Sequence, residues 1–374
     1  MKALLRFHTS SLSAFSVALL LIFGATGCSS FDPDPDVPKA QEWVALPAEF
    51  KGDYFFLPMA LEGDPARVLW FLYDTGASHT VVDRESLQSV SAWEPEQGSR
   101  IQFGTLQCGE TKLHQVSAKV MSLQHLKNAV GRDFDGILAY SAFAEVLLNL
   151  DYPESTLRIA KGHLPRVNQE TIFEIHGTNL PYYDVTFGST TRRLLIDSGS
   201  SLGFEVHANH NWNWTINPIV VGSSVGVDGL QFNYAGRLEA QVDFFGTHYE
   251  NPILRISDDI ELVGTEILRD YSLTFDQGAQ RLEVLPAETL SPKPRAYRGT
   301  GAIFRPKADG MEVIRLVPGS PAEKVGMQIG DHVERSADLH YDQLERASSR
   351  SYFVRRGGKR FRLEVPVVDL IPAR

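Results

Sequence analysis

The chain has 374 residues, of which 43% are hydrophobic and 22% are charged, as in ordinary soluble globular proteins. This length favours two or three domains over a single domain. The formal net charge is -10 and Lys and Arg form no basic stripe, so nucleic acid is not expected as a partner. The acidic balance by itself identifies no substrate.

Residues 1–27 have the features of an export signal. Lys2 and Arg6 give a positive start, and the apolar segment that follows, residues 12–23, is too short to remain as a membrane anchor. Small residues then lead to Cys28, an ending that resembles the lipobox of bacterial lipoproteins. The resemblance implies that Cys28 is acylated, so we expect a lipoprotein of the cell envelope that faces the periplasm, anchored at the outer membrane. A plain secretory signal is the alternative.

Residues 28–47 are predicted to form a tether, because Asp and Pro alternate there and favour an extended, self-repelling chain. The sequence contains two cysteines, Cys28 and Cys108. If Cys28 carries lipid, Cys108 has no partner for a disulfide, and the folded part depends on its hydrophobic core.

Residues 48–286 consist of short apolar runs broken by Gly, Asp and Pro, a pattern typical of a mainly β fold. An apolar run that ends at Asp74 recurs as a run that ends at Asp197. The segments that follow the acids, Ile137-Leu138-Ala139 and Leu262-Val263-Gly264, and the later acids, Asp151 and Asp276, recur at nearly the same spacing. We therefore predict a tandem duplication of one β unit, with lobes at 48–165 and 166–286.

Each predicted lobe opens with a hairpin whose second strand delivers the acid. The turns are Glu62-Gly63-Asp64 in the first lobe and Gly188-Ser189 in the second. Later Gly-containing hairpins, at residues 102–109 and 221–229, are candidates for flaps over a shared cleft.

The loops that contain the two acids, Asp74-Thr75-Gly76-Ala77-Ser78 and Asp197-Ser198-Gly199-Ser200-Ser201, resemble the active-site loops of aspartic peptidases. Lobes of this size are similar to two fused retropepsin units, which implies a two-lobed, acid-protease-like β-barrel and sheet unit. By this resemblance Asp74 and Asp197 are catalytic, and the loop residues that support them are Thr75, Gly76, Ser78, Ser198, Gly199 and Ser201. Ala139 stands where the family usually has Gly.

Two carboxyl groups about 3 Å apart share one proton over a broad pH range, so the ionised member can deprotonate a water and the protonated member can polarise a carbonyl. This chemistry requires no metal and no cofactor. The expected function is an aspartic-type endopeptidase that cleaves extended or unfolded exported polypeptides. The alternatives are a pair of unrelated Asp-Gly turns, or a catalytically silent lipoprotein that binds peptides or acts as a scaffold.

The C-terminal segment, residues 297–370, follows a Pro-containing linker at 287–296. Its Gly319-Ser320-Pro321-Ala322 turn and its Gly330-Asp331 pair resemble a PDZ domain of the bacterial periplasmic type. The resemblance implies a small PDZ-like domain that binds a C-terminal peptide through a carboxylate loop made of Gly299, Thr300, Gly301 and Ala302. A PDZ fold that only braces the enzyme is the alternative.

Other chemical motifs are weaker. Gly222-Ser223-Ser224-Val225-Gly226 fits a serine hydrolase elbow, but a turn rather than a helix is expected after it. His207 and His210, near Trp212 and Trp214, favour aromatic packing over a metal site. Cys108 is expected to be a small buried residue rather than a nucleophile.

Overall fold

The computed structural model describes residues 7–9 and 42–373, except 63, 91–95, 131, 227–228, 258–259, 291, 293–294, 308 and 335–346. Cys28 and the predicted export signal, apart from residues 7–9, lie outside the described residues, as does the tether up to residue 41. Within the described residues, no helix is both long and apolar enough to cross a membrane.

The fold is mainly β. The helices are short: α1 (Arg84–Val90), α2 (Gln124–Val130), α3 (Thr265–Leu268) and α4 (Pro321–Lys324), with a 3-10 turn at Tyr140–Phe143. The strands, in chain order, are β1 (Phe7–Thr9), β2 (Trp43–Ala45), β3 (Glu49–Lys51), β4 (Tyr54–Leu61), β5 (Asp64–Asp74), β6 (Thr80–Asp83), β7 (Arg100–Cys108), β8 (Thr111–Met121), β9 (Gly136–Ala139), β10 (Leu147–Asp151), β11 (Thr156–Ala160), β12 (Ile172–Glu174), β13 (Tyr182–Phe187), β14 (Thr190–Ile196), β15 (Phe204–His207), β16 (Trp214–Gly226), β17 (Gly229–Leu238), β18 (Gln241–Phe244), β19 (Thr247–Glu250), β20 (Ile253–Ser257), β21 (Leu262–Val263), β22 (Tyr271–Asp276), β23 (Arg281–Pro286), β24 (Tyr297–Gly299), β25 (Ala302–Lys307), β26 (Gly310–Leu316), β27 (His332–Glu334), β28 (Ser349–Arg356), β29 (Lys359–Pro366) and β30 (Val368–Ile371).

The first lobe is a sheet that closes into a barrel. Its strands are neighbours in the order β3-β4-β5-β9-β6-β8-β7, and β7 also pairs with β4. The turn between β4 and β5 lies where the sequence predicts it, so the second strand of this hairpin delivers Asp74.

The second lobe repeats these pairings. Its order β13-β14-β21-β15-β20-β17 follows β4-β5-β9-β6-β8-β7, and the successive pairs have the same parallel or antiparallel sense. The strand β18, which follows β17, pairs with β13 as β7 pairs with β4. The duplication predicted from spacing is thus confirmed in the order of the strands. The second lobe additionally carries the long hairpin β16–β17.

The strand β5 explains why the run before Asp74 is apolar at every position. Leu69, Phe71 and Tyr73 face the main core, which continues through both lobes, whereas Leu72 belongs to a separate apolar cluster on the other face of the sheet. A strand that is buried on both faces reads as a continuous hydrophobic run. The carboxylate at its end is therefore held by strand packing on both sides.

A sheet in the order β12-β23-β22-β10-β11-β2 joins the lobes. The strands β10 and β22, one from each lobe, pair directly, and the amide of Asn149 donates to the hydroxyls of Ser272 (3.0 Å) and Thr274 (3.1 Å) across the junction. The strand β2 corrects the predicted end of the tether at residue 47, because Trp43 already pairs with Ala160 of β11.

The C-terminal unit, defined here as β24–β30 with α4, has its own sheet in the order β25-β26-β27-β28-β29 and a separate pair β24-β30. Its core contains Phe304, Val313, Tyr352 and Val354. The preceding linker follows the surface of the second lobe, since the Arg295 guanidinium forms an ion pair with Asp270 at 2.6 Å.

The first predicted flap, residues 102–109, is wrong. The strands β7 and β8 pair with each other and also with β4 and β6, and the ring of Phe103 packs edge-on against Phe71 at 6.5 Å between centroids. A hairpin paired on both outer edges is part of the barrel wall. The second candidate, residues 221–229, lies in the hairpin β16–β17.

Candidate active site

The structure brings Asp74 and Asp197 together at the junction of the lobes. Asp74 is the last residue of β5 and pairs with Ala139 of β9, while Asp197 directly follows β14 and its backbone N–H donates to Val263 O at 2.9 Å. Both carboxyl groups are fully buried. Each is therefore fixed by a parallel strand pair behind it, as the repeated apolar segments predict.

Hydrogen bonds between Thr75 and Ser198 lock the two loops to each other. The Thr75 N–H donates to Ser198 Oγ at 2.9 Å, and the Ser198 N–H donates to Thr75 Oγ1 at 2.8 Å. The Thr75 hydroxyl also donates to Ile196 O at 2.7 Å, and the Ser198 hydroxyl donates to Tyr73 O at 3.3 Å. These four hydrogen bonds hold the loops of the two acids against each other, and neither carboxylate takes part in them.

Gly76 and Gly199 allow the close approach of the acids. A Cβ atom at Gly76 would lie 2.5 Å from Asp197 Cγ, and one at Gly199 would lie 2.4 Å from Asp74 Cγ, so any side chain at either position would clash with the opposite carboxyl group. The N–H of Gly76 donates to Asp74 Oδ1 at 2.7 Å, and the N–H of Gly199 donates to Asp197 Oδ1 at 2.9 Å.

Burial and mutual repulsion make one of the two acids retain its proton. Burial raises the pKa of Asp74 to about 6, partly offset by hydrogen bonds from the Gly76 backbone and with the Asp197 side chain. Burial and the adjacent Asp74 charge raise the pKa of Asp197 well above its ordinary value. The Oδ2 atoms of both acids are buried and have no hydrogen-bond partner among the described residues. The pair is therefore set up to hold one proton and one negative charge.

Tyr54 is a site residue that sequence reasoning missed. It opens β4 in the first lobe, is buried, and its hydroxyl forms a hydrogen bond with the side chain of Ser201 in the second-lobe loop. Burial raises the pKa of this hydroxyl, and the charges of Asp53, Asp197 and Asp74 add to the effect, which places the tyrosine close to the acids. The sequence offers little signal for it, because Tyr54 begins an apolar run that looks like ordinary core.

The remaining loop residues differ between the lobes. The Ser78 hydroxyl lies 2.9 Å from Nδ1 of the neighbouring His79, whereas the equivalent Ser201 bonds to Tyr54. The segments behind the loops also differ. A Cβ atom at Gly264 would lie 2.5 Å from the carbonyl oxygens of Leu202 and Ser200, while Ala139 is accommodated and its N–H donates to Thr80 Oγ1 at 3.1 Å.

The predicted carboxylate loop of the C-terminal unit is buried. Thr300 O accepts from the N–H of Ala322 at 2.9 Å, Gly301 O accepts from Val317 at 2.8 Å, and Thr300 Oγ1 lies 3.3 Å from the Tyr352 hydroxyl. Gly301 has a φ of +83° and no room for a Cβ, which would lie 2.2 Å from that of Ser320. These contacts tie the loop to the turn that precedes α4.

The weaker motifs take structural roles in the described chain. The ring nitrogen of Trp212 donates to His207 O at 3.2 Å, and the rings of His210 and Trp212 lie 5.5 Å apart, which confirms the aromatic packing. Cys108 is 1% exposed in the main core, and burial raises the pKa of its thiol to about 12. Ser223 lies within β16, in a hairpin rather than at a strand-to-helix elbow.

Comparisons with known proteins add little to this geometry. No protein-family model matches the chain, and no curated protein sequence matches it. Among solved structures, a retropepsin-like aspartic protease from Rickettsia conorii is similar with a TM-score of 0.24 and 15% sequence identity, over 33% of this chain and 94% of that one.

Proposed function

We propose that the chain is an aspartic-type endopeptidase that hydrolyses exported polypeptides with Asp74 and Asp197. The observation that carries this proposal is the meeting of two fully buried carboxyl groups across loops that hydrogen-bond reciprocally through Thr75 and Ser198. In the part of the chain that the structure describes, each carboxyl group has one oxygen without a hydrogen-bond partner. Holding two acids together in a buried site is costly for the fold, and such perturbed pairs cluster at functional sites.

The reaction follows from the unequal pKa values of the pair. Asp74, as the ionised member, takes a proton from a water while the water oxygen attacks the carbonyl carbon of the scissile peptide. Asp197, as the protonated member, donates its proton to the carbonyl oxygen, which gives a diol. Asp74, now protonated, then donates its proton to the amide nitrogen while Asp197, now ionised, takes a proton from one hydroxyl of the diol; the C–N bond breaks, a carboxylic acid and an amine are released, and the pair returns to its starting state. The substrate would lie extended between the lobes.

The decisive experiment is cleavage of a denatured protein by the wild type and by Asp74→Asn and Asp197→Asn. Each substitution should reduce cleavage by at least about 10³-fold, because the pair loses either its base or its shared proton. Circular dichroism should show the same fold in all three proteins. Absence of cleavage by the wild type between pH 4 and pH 8 would favour the competing function, a silent peptide-binding or scaffolding protein.

The pH dependence provides an independent check on the roles of the two acids. Because the pKa of Asp74 is raised to about 6, the base is lost as the pH falls through that value, and kcat/KM should rise as the pH increases from 4.5 to 7. A profile that is flat or that falls over this range would contradict the assignment of Asp74 as the ionised member.

We also propose that the protein is exported and anchored in the cell envelope through acylated Cys28. The support is the charged start, apolar segment and small residues that precede Cys28 in the sequence. Labelled palmitate should be incorporated into the wild-type protein and not into Cys28→Ser. Equal labelling of both proteins would exclude this anchor.

A further inference from the structure

The hairpin β16–β17 extends beyond the second-lobe barrel. The strand β17 pairs with β20 between Tyr234 and Arg237, but its pairing with β16 continues outward from Gly222 and Asn233 to Gly226 and Gly229. The outer half of the hairpin thus passes its last pairing with β20, and there the other edge of β16 pairs with β1, where Phe7–Thr9 lie opposite Ser223–Val225. Because β1 lies in the predicted export signal, removal of that signal would leave this half of the hairpin two-stranded, and an isolated two-stranded hairpin is at best marginally stable.

The C-terminal unit contacts the hairpin where it leaves the barrel. The Ser223 hydroxyl donates to Phe304 O at 2.6 Å, in a buried contact. The Tyr297 hydroxyl donates to Val221 O at 3.1 Å, and the Arg315 guanidinium lies 5.0 Å from the centroid of the Phe232 ring. These polar contacts surround a small apolar cluster of Val221, Ala235, Tyr297 and Ile371.

The strand β25, whose Phe304 carbonyl accepts from Ser223, is the outermost strand of its sheet. β25 pairs with β26 on one edge, and its other edge is where an extended chain could add by strand augmentation. Phe304 lies two positions after Ala302, the last residue of the predicted carboxylate loop. The outer strand of this sheet therefore already has a carbonyl bonded to the second lobe.

We infer that β25 takes the β16–β17 hairpin of the same chain as its ligand, and that the C-terminal unit thereby positions this hairpin for substrate binding. The inference rests on the proposed peptidase function and on the hairpin acting as the second-lobe flap. Ser223 and Tyr297 are then positioning residues, which act on substrate through the hairpin. Their loss should weaken substrate binding and leave the chemistry of Asp74 and Asp197 intact.

The test compares Ser223→Ala, Tyr297→Phe and the double variant with the wild-type full chain. Tyr249→Phe is the matched control, because it also removes a buried tyrosine hydroxyl from the second lobe, one that lies 2.7 Å from the hydroxyl of Tyr271 and away from the hairpin. Hydrogen exchange should become about fivefold faster in the hairpin amides of each single variant, as expected for the loss of one hydrogen bond, and faster again in the double variant. The control should leave hairpin exchange unchanged.

Cleavage kinetics supply the functional readout. KM should rise at least about threefold in Ser223→Ala and Tyr297→Phe while kcat stays within about twofold, because the interaction lost is one of binding. Hairpin exchange equal to that of the control overturns the proposed contact. Faster exchange with an unchanged KM overturns the positioning role. Since exchange needs no turnover, a wild type that cleaves nothing would defeat the proposed function separately, while the contact itself is still judged by exchange.

Discussion

Asp197 sits in an unfavourable environment for a carboxylate, and this has a measurable consequence for stability. Burial and the nearby Asp74 raise its pKa in the folded protein, whereas an unfolded Asp titrates near 3.9. As the pH rises above about 4, the unfolded chain releases a proton that the folded chain keeps, so the folded state loses stability.

Asp197→Asn should therefore raise the free energy of unfolding at pH 7.5, because the neutral amide has no proton that the unfolded chain could release. The amide oxygen of Asn can still accept from the Gly199 N–H, so the loop contact is kept. Urea unfolding at pH 7.5 and at pH 3.5 measures the effect. Because Asp197 is mostly protonated in both states at pH 3.5, the gain should largely disappear there, and an equal gain at both pH values would contradict the explanation.

Tyr54 connects the first lobe to the loop of the second acid. Tyr54→Phe removes the hydroxyl that bonds to Ser201 while the ring remains in place. We expect kcat/KM to fall about 3–10-fold, the effect of one hydrogen bond on the position of the Asp197 loop. Steady-state cleavage of a peptide measures it. Tyr249→Phe is the control, because the Tyr249 hydroxyl lies 2.7 Å from that of Tyr271 in the core of the second lobe and should change the rate less than twofold.

The site residues that could be predicted from the sequence are those whose role follows from the residues next to them in the chain. A loop is predicted at Asp74-Thr75-Gly76 because an acid, a hydroxyl and a glycine follow an apolar run that is typical of a buried strand. The repeat then predicts the facing loop at Asp197. Tyr54 could not be predicted, because its role depends on Ser201, which reaches it only through the packing of one lobe on the other.

The segments behind the two loops have equivalent strand pairing, but they differ in the room that they leave for a Cβ atom. At Gly264 a Cβ would meet backbone oxygens of Leu202 and Ser200 at 2.5 Å, and backbone cannot move aside as a flexible side chain can. The first lobe accepts a methyl group at Ala139 with the same parallel pairing. A glycine is thus required behind only the second loop.

Gly264→Ala should lower the free energy of unfolding by about 2–3 kcal/mol through overpacking, and should also reduce cleavage because the Asp197 loop is displaced. The reciprocal change Ala139→Gly, which adds backbone freedom and removes one buried methyl group, should cost about 1–1.5 kcal/mol. Urea unfolding of both variants gives the comparison. Equal losses for the two substitutions would show that the lobes are packed alike behind their loops.

At the level of elements, the sequence predicts the hairpins that deliver the acids, because their turns lie between runs of apolar residues. It mistakes β7–β8 for a flap, since a strand pattern does not reveal whether its outer edges are paired. It also ends the tether too late, because β2 is short and gains its stability from β11, far along the chain.

At the scale of the whole molecule, Arg237 joins parts that the sequence treats as separate. This residue of β17 is 2% exposed, and its guanidinium donates to Asn251 O at 2.6 Å in the second lobe, to Arg295 O at 2.7 Å in the linker and to Pro372 O at 2.8 Å near the C-terminus. The predicted linker at 287–296 is thereby attached to the barrel. We expect the lobes and the C-terminal unit to unfold together in the wild type.

Arg237→Met retains the apolar stem and removes every one of these hydrogen bonds, leaving carbonyl groups of the barrel, linker and C-terminus without their donor. The cost should be about 3 kcal/mol or more, because buried acceptors stay unsatisfied. Differential scanning calorimetry should show one transition for the wild type and two for the variant, as the C-terminal unit separates from the lobes.

Arg193→Met is the control. It removes an exposed ion pair with Asp184 in the same lobe and should leave a single transition, with a stability within about 1 kcal/mol of the wild type. A single, equally shifted transition in both variants would mean that Arg237 contributes only local stability, and that the contacts of Tyr297 and Ser223 suffice to hold the C-terminal unit against the hairpin.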